Sequence, residues 1–204
     1  MEIRLGKTVL CARLPFFAAA AFFLAGDMMK NYLLSVLFSS LHEAGHIVAL
    51  CCFGHIPEKI ILGVSGIRID KKHIILSYKE ECITALAGPS VNIFCAVMLI
   101  LYGRTGISVF INFGLFFVNI LPLKMLDGGR FLLNLLLTFA DEETSEKIMN
   151  FTELLTLVCL IIILAVSAAE KSLNISYILF VIFLVVSVFA DFLTSIKKIS
   201  LLRD

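Results

Sequence analysis

The sequence predicts an all-α polytopic membrane protein of six transmembrane helices, carrying one small β-hairpin on its cytoplasmic side. Composition is the first ground for this. Of 204 residues, 60% are hydrophobic and only 16% are charged, with a mean hydropathy of +1.01. A soluble domain carries roughly 25% charged residues. Distribution is the second ground. The apolar residues gather into runs of about 15 to 25, the length that crosses a bilayer as a helix. A single polar, β-branched stretch between runs supplies the hairpin.

The first span is expected over Leu14–Gly26, reaching back towards Val9, with Pro15 suited to a helix start. Its basic start and small residues also resemble a signal peptide. The next apolar run follows almost at once and leaves no room for a mature polar domain, so a retained helix is expected. The second span covers Tyr32–Phe53 and the third Cys82–Tyr102. A fourth begins near Ile107, is broken by "LPLKMLDGG" (Leu121–Gly129), and resumes as "RFLLNLLLTFA". The acidic "DEETSEK" then separates it from a fifth span, Ile148–Ala169, and the sixth covers Ile175–Ile196. Between the second and third spans, "KIILGVSGIRID" and "HIILSY" are partly alternating, with "DKK" as the expected turn of the hairpin. An exposed edge over Ile60–Ile69 can pair with an extended substrate.

Six spans put both termini on one side. That side collects twelve Lys and Arg, and the other only Lys30, Arg104 and Lys171, with the broken fourth segment left out. The positive-inside rule makes the richer side cytoplasmic, as in a bacterial cytoplasmic-type membrane. A net charge of +1 excludes a bulk electrostatic attraction to nucleic acid. The six cysteines form no C-x-x-C pair and lie mostly in apolar runs, as small buried filler does.

Chemistry concentrates in the second span, at "SSLHEAGHIVALCC". His42 and His46 are four residues apart, so a helix stacks them on one face. Two neutral imidazoles so placed can hold a metal ion, and Glu43 beside them can act as general base towards the attacking water. An ionisable residue in mid-membrane costs about 2.5–3.5 kcal/mol on insertion scales and usually marks function. For a third ligand the sequence offers His55 and His73, both in the polar loop, and Asp127 in "MLDGGR". Asp127 is the better candidate, because a chain broken at membrane depth must be buried in protein or line a watery cavity. His46 lies roughly 10 Å below the cytoplasmic surface at 1.5 Å per residue.

"HEAGH", "AGPSVN" (Ala87–Asn92) and "NILPLKMLDGG" (Asn119–Gly129) together resemble the site-2 protease family of intramembrane zinc metalloproteases. The six-span layout is similar to its sporulation branch. The resemblance implies a three-helix catalytic core over about 33–133, with accessory helices at 9–29 and 148–196, in a single membrane domain. It implies His42, His46 and Asp127 as ligands of one Zn²⁺ per chain and Glu43 as catalytic base. Asn92 and Asn119 then bind substrate or organise the core. The implied activity is hydrolysis of a peptide bond in a membrane-embedded or membrane-associated protein near the cytoplasmic face, under a membrane regulatory partner. A sigma-factor precursor or its regulator is one candidate substrate. Lys124 and Met125 stand where relatives often carry prolines, which leaves the loop's rigidity open. No PDZ insert or nucleotide-sensing domain is expected. Two other readings use the same polar cluster. An ion or metal transporter would be expected to show internal symmetry, and none is visible. An inactive membrane scaffold has no need of a full set of ligands and base.

Overall fold

The structure is a computed structural model. It describes residues 2–5, 8–12, 29–56, 59–63, 66–70 and 75–170, with a few positions between 178 and 188. The expected first span, Leu14–Gly26, and most of the sixth, Ile175–Ile196, lie outside the described residues. The chain divides into two compact units, Met1–Ile120 and Leu121–Asp204.

In the first unit, strands β1 (Glu2–Leu5) and β2 (Thr8–Ala12) precede helix α1 (Met29–Cys52). Strands β3 (Lys59–Gly63) and β4 (Gly66–Asp70) follow, then helices α2 (Tyr78–Leu101) and α3 (Ile107–Asn119). The four strands form one sheet in the order β1-β2-β3-β4, with β2 and β3 parallel and the outer pairs antiparallel. Strand β4 lies against α1.

The structure corrects the sequence reading at four points. Residues 9–12 belong to β2, not to a first helix. Residues 9–11 pair on both sides, with β1 and with β3, and Ala12 pairs with β3; that satisfaction outweighs the apolar character that suggested a span. The turn between β3 and β4 falls between Gly63 and Gly66, not at "DKK". The expected second arm fails at its end, because Ser77 caps α2: its Oγ accepts from the Glu80 N–H, while the Glu80 carboxylate accepts from the Ser77 N–H at 2.8 Å. This reciprocal capping box commits the chain to helix. Finally, β3 has neighbours on both sides, so of the expected Ile60–Ile69 edge only β4 is an edge strand.

Helices α1 and α2 both end on a glycine with positive φ, Gly54 at 80° and Gly103 at 68°. In each, the residue after the glycine bonds back five positions: His55 N–H to Leu50 O at 2.9 Å, and Arg104 N–H to Leu99 O at 2.8 Å. The orphan carbonyls of the last turn are thereby satisfied.

In the second unit, α4 (Asp127–Phe139) packs against α5 (Glu142–Ala169). Helix α5 begins earlier than expected and absorbs the acidic stretch. Asp141 is its N-cap, accepting from Thr144 N–H at 3.0 Å. That bond holds the Asp141 carboxyl below the usual carboxylate range, and Glu142 and Glu143 suit the positive end of the helix dipole. Among the described residues, Lys30–Cys52, Tyr78–Leu101 and Glu142–Ala169 are long and apolar enough to cross a membrane.

Candidate metal centre

The helical periodicity of α1 places Phe38, His42, Gly45, His46 and Ala49 on one buried face. Helix α2 answers with Ala85, Gly88, Asn92 and Ala96, also buried and three or four residues apart. Small residues on both sides let the backbones approach. A Cβ on Gly45 would stand 2.8 Å from the Ala87 carbonyl oxygen.

The two histidines are 4% and 3% exposed, so each ring nitrogen needs an internal role. His46 Nδ1 lies 2.7 Å from Thr84 O. A carbonyl only accepts, so Nδ1 carries the proton and Nε2 the lone pair. His42 Nδ1 lies 2.5 Å from Asn92 Oδ1, which likewise makes Nδ1 the donor. The two Nε2 atoms then face each other across 3.2 Å. Facing lone pairs at that distance repel unless a cation or a proton stands between them. Two neutral imidazoles, each oriented through its other nitrogen by an oxygen acceptor, are the donor set a divalent metal requires.

Gly88 leaves the space for it. A Cβ there would stand 2.6 Å from His42 Nε2 and collide with His46 Nε2. The donor chemistry and this cradle fit a metal ion.

Glu43 follows His42 on α1 and is half-buried. Asn119 closes α3, where its Nδ2 donates to Leu115 O at 2.9 Å. His55 is half-buried just beyond the end of α1, and His73 lies outside the described residues.

In the second unit, Asp127 is the first residue of α4 and is 8% exposed, with Arg130 Nη1 3.6 Å from its Oδ1. It does not cap the helix; Leu126 holds that position. The preceding loop folds back onto the helix start. A Cβ on Gly129 would collide with the Leu123 carbonyl and stand 2.7 Å from Lys124 N, so only glycine fits. At position 124, where proline is absent, α5 holds the loop instead. The Lys124 N–H donates to the buried Glu153 carboxylate at 3.0 Å, and Lys124 Nζ to Asn150 Oδ1 at 2.6 Å. Replacing Glu153 by alanine is expected to leave the Lys124 N–H without its acceptor, at about 1–3 kcal/mol. Amide hydrogen exchange over 121–126 should accelerate accordingly; unchanged exchange would assign the loop's order to other contacts.

The sequence model of peptidase family M50 matches residues 104–166. Stage IV sporulation protein FB of Bacillus subtilis (strain 168) is 30% identical over 183 residues, covering 85% of this chain. The chain spans 62% of the length of that sporulation relative. A solved structure, the site-2 protease from Methanocaldococcus jannaschii, shares the fold at a TM-score of 0.58, with 22% identity over 93% of this chain and 94% of that one. The chain is thus similar to a peptidase family M50 model over part of its length and to a site-2 protease in its fold. Three apolar helices long enough to cross a bilayer, with these similarities, support an integral membrane protein.

Within this site-2 protease fold, two polar residues matter that sequence reading passed over. Asn112 stands in the apolar run "ISVFINFGLFF" and is fully buried. Glu153 stands inside the fifth expected span and is 8% exposed. Each carried the signal that marked His42: a polar side chain at membrane depth, where it needs a partner.

Proposed function

We propose that this chain is a zinc-dependent intramembrane endopeptidase, in which His42, His46 and Asp127 hold one Zn²⁺ and Glu43 is the general base. The observation that carries it is the pair of Nε2 lone pairs converging over Gly88, with both Nδ1 atoms already engaged. His42, His46 and Asp127 each offer one ligand atom, and all three are buried. When bound, the ion would supply Lewis-acid polarisation of the scissile carbonyl and of the attacking water. The chain's own residues do the rest. His42 and His46 would hold the ion through Nε2, and their Nδ1 bonds keep the rings from turning. Glu43 takes the proton of the attacking water and returns it to the leaving amine.

The substrate is a membrane-embedded or membrane-associated protein. Its helix must unwind before the scissile carbonyl is reachable. Six spans with both termini cytoplasmic put hydrolysis near the cytoplasmic face. Likeness to a stage IV sporulation protein makes a sigma-factor precursor or its membrane regulator the first substrate to try.

The test is metal content beside cleavage. Protein purified in mild detergent should hold one zinc per chain, and a co-expressed candidate substrate should be cut. Asp127→Asn should lower zinc occupancy well below one per chain, with cleavage falling in step. Unchanged zinc in that variant would make another residue the third ligand. Protein without metal after gentle extraction would remove the reading altogether.

A further inference from the structure

The orientation of His42 does not begin at Asn92. Asn112 Nδ2, on α3, donates to Ser108 O at 2.8 Å. Since that carbonyl can only accept, the NH₂ group of Asn112 must face it, and Oδ1 faces the other way. There Oδ1 receives Asn92 Nδ2 at 3.2 Å. The NH₂ group of Asn92 is thus committed towards α3, with a weaker contact to Phe38 O at 3.5 Å. Its Oδ1 is left to face His42 Nδ1. Each link forces the next, from a backbone carbonyl on α3 to a ring nitrogen on α1.

We propose that Asn112 is a positioning residue that selects the metal-binding tautomer of His42, acting through the Asn92 amide. Without the Asn112 acceptor, only the longer contact to Phe38 O is left to distinguish the two ends of the Asn92 amide. A flipped Asn92 presents NH₂ to His42 Nδ1, which must then accept. The ring proton moves to Nε2, and the lone pair a metal needs is gone. Both asparagines are 0% exposed, so water is not at hand to correct the flip. A mere packing role for Asn112 would not need its donor and acceptor on opposite sides, one towards its own helix and one towards a residue that touches a ligand.

The inference rests on His42 as a metal ligand, and the experiment separates the two. Full-length wild type, Asn112→Leu and Asn112→Asp are purified in detergent and titrated with Zn²⁺ against a chelator. Their Co²⁺-loaded forms are compared by visible absorption. Leucine keeps the volume and removes both polar ends. Aspartic acid, held neutral by its apolar surroundings, can donate to Ser108 O and accept from Asn92. Zinc affinity should fall about 10- to 100-fold in the leucine variant, the usual cost of losing an outer partner of a ligating histidine, with a weakened or displaced cobalt spectrum. The aspartate variant should stay close to wild type in both. Leucine protein that binds zinc as wild type does would overturn the role. So would equal losses in both variants that merely follow thermal stability. Should the leucine variant fail to fold, Asn112→Val carries the same expectation, and a large loss of affinity in the aspartate variant also counts against the role. Wild-type protein that binds no zinc would take down the metal reading itself.

Discussion

Replacing Glu43 by glutamine is expected to leave zinc at one per chain while cleavage falls by about 10²- to 10⁴-fold, the range that general acid–base groups supply. Glutamine keeps the size and hydrogen-bonding reach of the side chain but has no carboxylate to take a proton. The metal should be indifferent, because the proposed donors are His42, His46 and Asp127. Zinc retention is the informative half. Loss of both zinc and activity would place Glu43 among the ligands, whereas full proteolysis by the variant would remove it from the mechanism. Co-expression with a membrane substrate, read by immunoblot beside metal analysis of the purified protein, gives both numbers at once.

A second large effect is expected at Gly88. Alanine there places a methyl 2.6 Å from His42 Nε2 and in collision with His46 Nε2. A Cβ on a helix cannot rotate away, so either the rings turn or α1 and α2 part. Turning breaks the bonds to Asn92 Oδ1 and Thr84 O that keep the lone pairs aimed. Zinc binding should be abolished, even where the protein still extracts and migrates as wild type. Gly45→Ala is the matching comparison. Its methyl would press on the Ala87 carbonyl at 2.8 Å and on Val91, which strains the same helix pair at contacts on α2. That variant should lose thermal stability, by about 1–3 kcal/mol for overpacking, yet retain more zinc than Gly88→Ala. Equal zinc in the two variants would mean that Gly88 serves helix approach alone.

How much of this could be read in advance differs from residue to residue. His42 and His46 were legible because helical periodicity is local: four residues apart means one face, whatever surrounds the helix. Asn92 was legible only as a polar residue near the site, since its partners lie on two other helices. Asn112 and Glu153 were visible as polar residues in apolar runs, but their partners are remote in sequence: Asn92 lies 20 residues away and Lys124 29. The sheet was read least well. Strand pairing is non-local, and the turn between Gly63 and Gly66, the capping of α2 by Ser77, and the parallel join of β2 to β3 each turned on competition between hydrogen-bonding options that hydrophobic pattern does not register.

The sequence by itself determined that this chain lives in a membrane, that α1 carries two imidazoles and a carboxylate within one and a half turns, and that the Leu121–Gly129 break holds an aspartate. Those features follow from composition and from the period of a helix, which depend only on neighbours along the chain. Tertiary structure decided which nitrogen of each histidine holds the proton, why position 88 has no side chain, and how an α5 carboxylate steadies the loop before Asp127. Proton placement and closeness of backbones are set by what stands opposite, and what stands opposite is known only when the helices are packed.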